Sequence, residues 1–327
     1  MKTRKLGNTG ISISEISLGG VAFTWLGQKS SQKLIDFCVE KGINYIDVYS
    51  GTGEKIKDSL KKHRQKIFVS TRGSSKTIDN CLIEFGLDCF DVFLLSMIDS
   101  QIQLKEAIRE TEYLEKFRKQ GKFRILGIAT HNPLLYPEII KSKKFDVMMI
   151  PVNCIDEPAR KIFTTARDNG IGIIAMKPLA GGNIREYDSA IRYVLNLPVS
   201  TALIGMARIK EVKQNISVLK NLTITHKDNQ YYKKIRRQLG DVFCRYCGHC
   251  IFPEPCPREV PVRTIMMLET LAYQANLKRN ISEKILKSID NCIKCGLCEK
   301  RCPYKLPIRK LLPLKVKKYI KMTSNIH

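Results

Sequence analysis

Eight cysteines near the C-terminus stand in two closely spaced runs. The runs are Cys244-x2-Cys247-x2-Cys250-x5-Cys256-Pro257 and Cys292-x2-Cys295-x2-Cys298-x3-Cys302-Pro303. Three cysteines spaced by two residues, with a Cys-Pro farther along, are typical of loops that hold iron–sulfur clusters. The runs therefore predict two 4Fe-4S clusters and a protein that takes part in electron transfer.

Two such runs in one chain indicate the bacterial two-cluster arrangement, in which the fourth cysteine of each run ligates the other cluster. Structural zinc sites usually combine two separated cysteine pairs rather than triplets closed by Cys-Pro, so zinc is disfavoured. We therefore assign to one cluster Cys244, Cys247, Cys250 and Cys302, and to the other Cys292, Cys295, Cys298 and Cys256.

The other four cysteines, Cys38, Cys81, Cys89 and Cys154, stand singly in apolar or helical stretches and form no disulfide framework. The first ten residues lack the apolar core of a signal peptide. Both observations favour a reducing compartment, and we predict a cytoplasmic protein. No apolar run approaches the roughly 20 residues that a membrane-spanning helix needs.

The formal charge of the 327 residues is +25. It is uneven, because the chain from Tyr231 onward carries 21 Lys and Arg against 7 Asp and Glu. A solvated basic surface explains this, and so does a docking site for an acidic redox partner such as a ferredoxin or flavodoxin. Nucleic acid is disfavoured as a partner, since neither a helix-turn-helix pattern nor interleaved basic and aromatic residues accompany the charge.

Before the cysteines, short β-branched runs alternate with polar helical stretches eight times. Eight βα units within about 220 residues predict a TIM barrel, since a doubly wound sheet usually has fewer strands and an early Gly-rich turn. The predicted strands cover residues 13–20, 44–49, 66–71, 91–96, 124–130, 146–153, 172–178 and 201–206. Chemistry in such barrels lies where strands end, which selects as candidates Asp47, Tyr49, Thr71, Arg72, Ser96, His131, Asn132, Asn153, Lys177 and Gly205.

Ordered fragments along the chain resemble the aldo-keto reductase family, in particular its branch with a C-terminal ferredoxin-like domain. The fragments are RKLGNTGISISEISLGG, GINYIDVY, GKFRILGIATHN, FDVMMIPVNCID, GIGIIAMKPLAGG, VSTALIGMARIKEVKQNI and CIKCGLCEKRCPYKLPIRKLL. The resemblance implies an aldo-keto-reductase-like barrel over residues 1–230 and a small helical ferredoxin-like domain with both clusters over 231–327. The first cysteine run has five residues before Cys256 where the family has about two, so this loop is the weakest part of the ligand assignment.

The resemblance also implies carbonyl reduction by NAD(P)H, with a Tyr as proton donor, a Lys and an Asp that tune it, and a His that orients the substrate. Asp47 matches the family's Asp. The Tyr position falls on Thr52 when counted forward from Asp47, and on Tyr49 when counted back from the next helix; we favour Tyr49. Arg72 stands in place of the Lys and Ser96 in place of the His. A guanidinium does not lose its proton as readily as an amine, so the catalytic set is degenerate.

Asp47 and Arg72 have a plain alternative role as a structural ion pair, and Tyr49 as packing. For the cofactor, an NADP or NAD site after the eighth strand is implied, with Gly205, Met206 and Arg208 near phosphate and Asn215 near adenine. Asn153 and Lys177 are further cofactor-binding candidates at the barrel mouth, and His249 is expected to lie beside the first cluster rather than ligate it. Trp25 is the only tryptophan and is expected near the mouth.

Three functions remain open on these observations. The first is an iron–sulfur oxidoreductase, NAD(P)H-linked or not, whose two clusters relay electrons to or from a small-molecule site in the barrel. The second is an electron-transfer protein whose barrel has lost carbonyl reductase activity and serves as a scaffold or partner-docking module. The third is a protein whose basic face docks an acidic macromolecule and whose clusters serve structure or sensing.

Overall fold

In the computed structural model, which describes residues 1–156, 160–274 and 281–324, eight parallel strands close into a barrel. A two-stranded antiparallel hairpin, β1 (Thr3–Lys5) and β2 (Ser12–Ser14), precedes it. The order around the barrel follows the chain, and the last strand pairs with the first. The barrel strands are β3 (Ile16–Gly19), β4 (Tyr45–Asp47), β5 (Phe68–Gly73), β6 (Phe90–Leu95), β7 (Phe123–Ala129), β8 (Val147–Pro151), β9 (Gly172–Met176) and β10 (Thr201–Gly205).

The barrel strands bury both faces, because helices cover the outside and side chains fill the inside. In β6, all six residues are buried: Val92 and Leu94 pack into the barrel interior, and Phe90 and Phe93 pack outward against the helices. The hairpin closes the N-terminal end of the barrel. Its residues Leu6 and Ile13 belong to the interior cluster.

Helices follow the strands and form the outer layer, and a second group of helices forms the C-terminal region. The first group is α1 (Gln28–Glu40), α2 (Gly53–His63), α3 (Ile78–Phe85), α4 (Gln101–Lys119), α5 (Tyr136–Ser142), α6 (Arg160–Asp168), α7 (Tyr187–Leu195), α8 (Ile209–Ser217) and α9 (His226–Leu239). The second is α10 (Val262–Met266), α11 (Leu268–Gln274), α12 (Glu283–Lys287), α13 (Leu297–Lys300) and α14 (Ile308–Thr323).

The strand predictions hold with one change. The run 13–20 divides into the end of the hairpin, β2, and the first barrel strand, β3, with Glu15 between them. The side chain of Glu15 is largely buried and accepts hydrogen bonds from Arg4 Nε and Nη2 at 3.0 and 2.9 Å. This ion pair ties the hairpin to the start of the barrel, which a strand pattern alone does not show.

The C-terminal region has its own apolar core, in which Val260, Ile265 and Leu311 are buried and several cysteines pack at the edge. The predicted boundary after residue 230 falls inside α9. The inward residues of this helix, Tyr232 and Ile235, pack with the core between the barrel and its helices. In the described part of the chain, no helix has the length and apolar character needed to cross a bilayer.

Candidate functional site

The C-terminal ends of the barrel strands surround a cavity of about 880 Å³. TIM barrel enzymes place their active sites at this end, and the volume suits a small-molecule site of about 300–1,000 Å³. Trp25 also lines the cavity, as expected. Of the ten candidate strand-end residues, those that line it are Asp47, Tyr49, Arg72, Ser96, His131, Lys177 and Gly205.

Three candidates lie elsewhere. Thr71 stands between two residues that face the barrel interior and therefore faces the opposite side of its strand. Asn132 donates its amide to the Asp99 backbone carbonyl at 2.9 Å and accepts from the Leu134 N–H at 3.0 Å. Asn153 accepts from the Ile155 N–H at 3.1 Å, and it is not among the described residues that line the cavity. Both asparagines shape loops.

Asp47 and Arg72 form a buried ion pair at the base of the cavity. Strand pairing sets Asp47 beside Ser70, whose hydroxyl donates to the carboxylate at 2.9 Å, and Arg72 follows two residues later on the same face. Burial alone would lower the pKa of Arg72, but the Asp47 carboxylate together with Tyr49 and Tyr45 outweighs it, so the pKa is raised. Arg72 is thus a fixed cation and does not exchange protons in the way a lysine can.

Tyr49 lies over this pair, with the Arg72 guanidinium carbon 4.3 Å from its ring centroid. Thr52, the other candidate, is buried; its hydroxyl donates to the Tyr49 carbonyl at 2.6 Å and is not part of the cavity wall. Burial raises the pKa of Tyr49, and Arg72 offsets this only in part. The phenol is therefore a weaker acid than a free tyrosine, the opposite of the tuning that proton donation requires.

Ser96, His131 and Lys177, which follow β6, β7 and β9, also line the cavity. Burial lowers the pKa of His131 well below its usual range, and the cations of Lys177, Arg263 and Arg72 act in the same direction. The imidazole is therefore neutral at pH 7. Burial also lowers the pKa of Lys177 to about 8, with Arg263 and Arg72 contributing. Most Lys177 side chains remain charged at neutral pH.

Tyr246, inside the first cysteine run, reaches across to the barrel and lines the same cavity. Its ring makes an edge contact with the His131 ring, 5.3 Å between centroids, and Lys177 Nζ lies 4.9 Å from its centroid. The Arg263 guanidinium carbon lies 3.7 Å from it. Sequence reasoning missed Tyr246, because spacing identifies cysteines but does not show which intervening side chain faces the barrel.

An ion pair joins the barrel to the cysteine region beside Tyr246. It is formed by Arg263, from α10, and Asp99, from the loop after β6. Arg263 Nη1 lies 2.8 Å from Asp99 Oδ2, and the two side chains are 12% and 3% exposed. Burial raises the pKa of Asp99, and Arg263 partly offsets this. The pair therefore fixes the cysteine loop against the barrel mouth.

The cysteines surround two adjoining cavities. The inner cavity, near Tyr246, is bordered by Arg263, and the outer one is bordered by Lys294, Arg301 and Arg309. Cys250 lines both. The cysteines of the inner cavity are Cys244, Cys247, Cys250 and Cys302, and the others at the outer cavity are Cys256, Cys292, Cys295 and Cys298.

These cavities fit 4Fe-4S clusters. The inner wall is otherwise largely apolar, with Met266, Leu306 and Ile308, while Arg245 and Arg263 supply positive charge opposite the thiolates. Within the described ranges, no three His, Cys, Asp or Glu side chains converge as they would on a single metal ion. Four cysteines are assigned to each cavity, and four is the number of cysteine ligands that a 4Fe-4S cluster takes.

The cavity extends from the barrel mouth to α8, where Gly205, Met206, Arg208 and Asn215 line it. Arg208 is exposed and its Nε donates to Glu211 Oε1 at 2.9 Å. Asn215 is 3% exposed. Along this groove, Gly205 leaves space at the strand end, Arg208 supplies a cation and Asn215 supplies a buried amide. These features suit the phosphate and the base of a nucleotide.

Comparison with known proteins agrees with this architecture. The description "Aldo/keto reductase family" matches residues 15–189, and "4Fe-4S dicluster domain" matches residues 243–307. Among curated proteins, "L-galactose dehydrogenase" of Arabidopsis thaliana is 23% identical over 309 residues, 74% of this chain and 95% of its own. "Uncharacterized oxidoreductase YqkF" of Bacillus subtilis is 24% identical over 212 residues, 57% of this chain and 67% of its own.

Among solved structures, the holo form of "aldo-keto reductase AKR11C1 from Bacillus halodurans" superposes with a TM-score of 0.61 and 20% identity, covering 72% of this chain and 96% of that one. A "Putative aldo-keto reductase" from Pseudomonas aeruginosa gives a TM-score of 0.59 and 19% identity, with 66% and 93% covered. At this identity the structures show a shared fold. Because the family match covers more than half of the 327 residues, the chain belongs to the aldo/keto reductase family and carries a C-terminal 4Fe-4S dicluster domain.

Proposed function

We propose that the protein is an iron–sulfur oxidoreductase that acts on a small molecule bound in the barrel cavity. The observation that carries this is Tyr246, which belongs to the first cysteine run and also forms part of the cavity wall. Arg263 in turn borders the inner cysteine cavity and stacks on Tyr246. A substrate against Tyr246 would lie one side chain away from the inner cysteine set.

In this proposal the inner set Cys244, Cys247, Cys250 and Cys302 holds one cluster, and Cys256, Cys292, Cys295 and Cys298 hold the other. Two 4Fe-4S clusters, when bound, supply one-electron transfer. The residues around them shield the sulfurs from water, offset their negative charge and fix their distance from the barrel. The Asp99–Arg263 pair does the last of these, since it ties α10 to the loop after β6.

The outer set lies at the surface, where Cys295 is exposed and Ile293 and Leu297 are 61% and 40% exposed. The basic residues Lys294 and Arg301 border it. An apolar patch within positive charge suits transient docking of an acidic one-electron carrier such as a ferredoxin or flavodoxin. Electrons would then enter or leave at the outer set and meet the substrate beyond the inner one.

The groove at α8 would hold the phosphate and adenine of NADPH or NADH through Arg208 and Asn215. At the base of the cavity, Asp47 holds Arg72, and Arg72 holds the Tyr49 ring. Tyr49 is the candidate proton donor to a substrate carbonyl, with its hydroxyl as the atom that gives the proton. Its raised pKa makes this donation slower than in a site that lowers it.

The test uses protein purified without oxygen. Two clusters predict about eight iron atoms per chain. We expect Cys302→Ser and Cys295→Ser each to reduce iron content and to alter different electron paramagnetic resonance signals, while Cys89→Ser, a cysteine outside both cavities, changes neither. If one substitution in each set leaves iron content and both signals intact, the ligand assignment is wrong.

Cofactor binding is read from the fluorescence of Trp25, which lines the cavity. We expect saturable quenching by NADPH or NADH, weakened at least about tenfold by Arg208→Ala, because one charge-assisted contact to phosphate is lost. Arg167→Ala, a change at an exposed arginine on α6, is the matched control. Absence of quenching in the parent protein would remove the nucleotide from the proposal but leave the clusters in it.

The second candidate function is electron transfer with the barrel as a scaffold. The raised pKa of Tyr49 and the presence of Arg72 and Ser96 in the catalytic positions favour it. Tyr49→Phe separates the two candidates: a working proton donor predicts a loss of about 10²-fold or more in reduction of a carbonyl substrate. A scaffold predicts no such turnover in either protein, together with unchanged electron exchange with an acidic ferredoxin.

A further inference from the structure

Three cations and two carboxylates meet around the inner end of the barrel cavity. Arg72 pairs with Asp47, and Arg263 pairs with Asp99. Lys177 has no carboxylate within ion-pair distance in the part of the chain that the structure describes. Asp99 and the Cys244 sulfur act on Lys177 electrostatically, but no carboxylate of the described residues contacts its half-buried side chain. A charge in such a place is costly unless a contacting partner is supplied.

The backbone at Lys177 adds a second observation. Its φ is +56°, in the left-handed region that side-chain-bearing residues seldom adopt and that costs about 1 kcal/mol or more. The conformation lies directly after β9, where the chain leaves the barrel, and it accompanies a side chain that lines the cavity. Strain of this kind is concentrated at ligand sites.

His131 supplies a neighbouring donor. Its Nε2 is buried and has no hydrogen-bond partner. Burial lowers the pKa of His131, so the neutral ring can present an N–H there rather than a charge. Lys177 and His131 contact the same Tyr246 ring, at 4.9 and 5.3 Å between the group and the ring centroid. One cation and one unpartnered donor therefore lie beside a shared aromatic wall.

The rest of this end of the cavity is apolar, with Met149, Met176 and Leu203 in the wall. Arg72 is less available to an anion than Lys177, because its Nη2 already donates to Asp47 and toward Met149, which leaves only its buried Nε among the orphaned donors. The arrangement suits a small organic molecule with one anionic end and an apolar body.

We propose that Lys177 and His131 form a carboxylate-binding subsite, so that the substrate of the barrel cavity is a small organic carboxylate. This inference rests on the proposed function, in which the cavity is the substrate site. The carboxylate would accept hydrogen bonds from Lys177 Nζ and from His131 Nε2. Tyr246 would form one wall of the subsite, which places the substrate beside the inner cysteine set.

Two other partners for Lys177 are conceivable, and the experiment separates them. One is a phosphate of the nicotinamide cofactor, whose anionic oxygens resemble those of a carboxylate. The other is the negative charge of the inner cysteine set, since the Cys244 sulfur interacts electrostatically with Lys177. A cofactor phosphate predicts effects on nucleotide affinity, and a counter-ion role predicts effects on the cluster potential alone.

The test compares phenylglyoxylate with acetophenone, which lacks the carboxylate, by calorimetry on anaerobic holoprotein. We expect phenylglyoxylate to bind at least about tenfold tighter, since a charge-assisted contact is worth that much or more. Lys177→Met should remove this difference and leave acetophenone affinity and NADPH affinity unchanged. Arg208→Met, at the other end of the cavity, should weaken NADPH and leave phenylglyoxylate unchanged. His131→Phe, which keeps an aromatic ring, should weaken phenylglyoxylate by a smaller factor.

Equal binding of the charged and neutral ligands would overturn the inference while leaving the cavity as a binding site. Loss of NADPH affinity in Lys177→Met would assign Lys177 to the cofactor phosphate and would also overturn it. A shift in cluster potential with no change in ligand affinity would do the same in favour of the counter-ion role. If the parent protein binds none of the three molecules, the proposed function itself fails at the cavity.

Discussion

Removing Arg263 should weaken the attachment of the cysteine region to the barrel. In Arg263→Met the methionine keeps much of the volume of the side chain, but Asp99, 3% exposed, loses its cation. A buried carboxylate left without its partner costs about 3–5 kcal/mol. With an m-value of about 3 kcal/mol/M in urea, the unfolding midpoint should fall by about 1–1.7 M.

The size of the effect should depend on pH in a defined direction. Burial raises the pKa of Asp99 in the folded protein, and loss of Arg263 raises it further because Arg263 was offsetting the burial. A folded state that binds the proton more tightly than the unfolded state gains stability as the pH falls. The deficit of Arg263→Met relative to the parent protein should therefore shrink as the pH falls from neutral toward the unfolded value of about 3.9.

A double-mutant cycle with Asp99→Asn isolates the pair. If the two side chains interact as their 2.8 Å separation indicates, the coupling free energy should be about 1–3 kcal/mol. The assay is urea unfolding without oxygen, followed by far-ultraviolet circular dichroism and by visible absorbance. Arg167→Met tests an exposed pair with Asp168 and should cost less than about 1 kcal/mol. Additive effects of the two changes, or an Arg263→Met cost no larger than that of Arg167→Met, would refute the reasoning.

Three further outcomes are expected. Gly53→Ala should lower the free energy of unfolding by about 1–3 kcal/mol in urea titrations, because a Cβ would overlap the Glu84 backbone, whereas Gly27→Ala meets open space and should cost less than about 1 kcal/mol. Asp228→Asn should cost about 1–3 kcal/mol at pH 7, because Asp228 accepts from the Ser189 hydroxyl at 2.5 Å. Burial alone would raise the pKa of Asp228, but its hydrogen bonds lower it, so this stability is present above the unfolded value of about 3.9 and is lost as the pH falls through the lower folded value. The difference in thermal midpoint between the parent protein and Asp228→Asn should therefore be smaller at about pH 3.5 than at about pH 5. An equal difference at the two pH values would contradict the assignment.

The barrel was predictable from the chain because buried parallel strands leave a local pattern. The run at 91–96 became β6 at Phe90–Leu95, and the run at 124–130 became β7 at Phe123–Ala129. The position of Asp47 and Arg72 in the cavity followed from the rule that strand ends carry chemistry, together with a period of two. Such features depend on neighbours in sequence or on adjacent strands.

The contacts between barrel and cysteine region were not predictable in this way. Asp99 and Arg263 are far apart in sequence, and no local pattern relates a loop after the fourth barrel strand to a short C-terminal helix. Tyr246 has a φ of +68°, so the direction of its side chain does not follow the periodicity of a strand or a helix. The role of Lys177 likewise depends on which carboxylates are absent around it, and only the assembled structure shows that.

The exchange of cysteines between the two runs has a consequence for synthesis. The inner cavity is lined by Cys302 from the second run, and the outer one by Cys256 from the first. The outer set is therefore complete only when the chain has been made to residue 298, and the inner set only at residue 302. The last barrel strand ends at Gly205. At about 5–20 residues per second, a barrel that folds as its strands emerge would wait roughly 2–8 s for Tyr246 and roughly 5–20 s for Cys302, so its mouth stays open until the cysteine loops arrive. A molecule that fills the cavity early would thus be enclosed by the cysteine region as it forms.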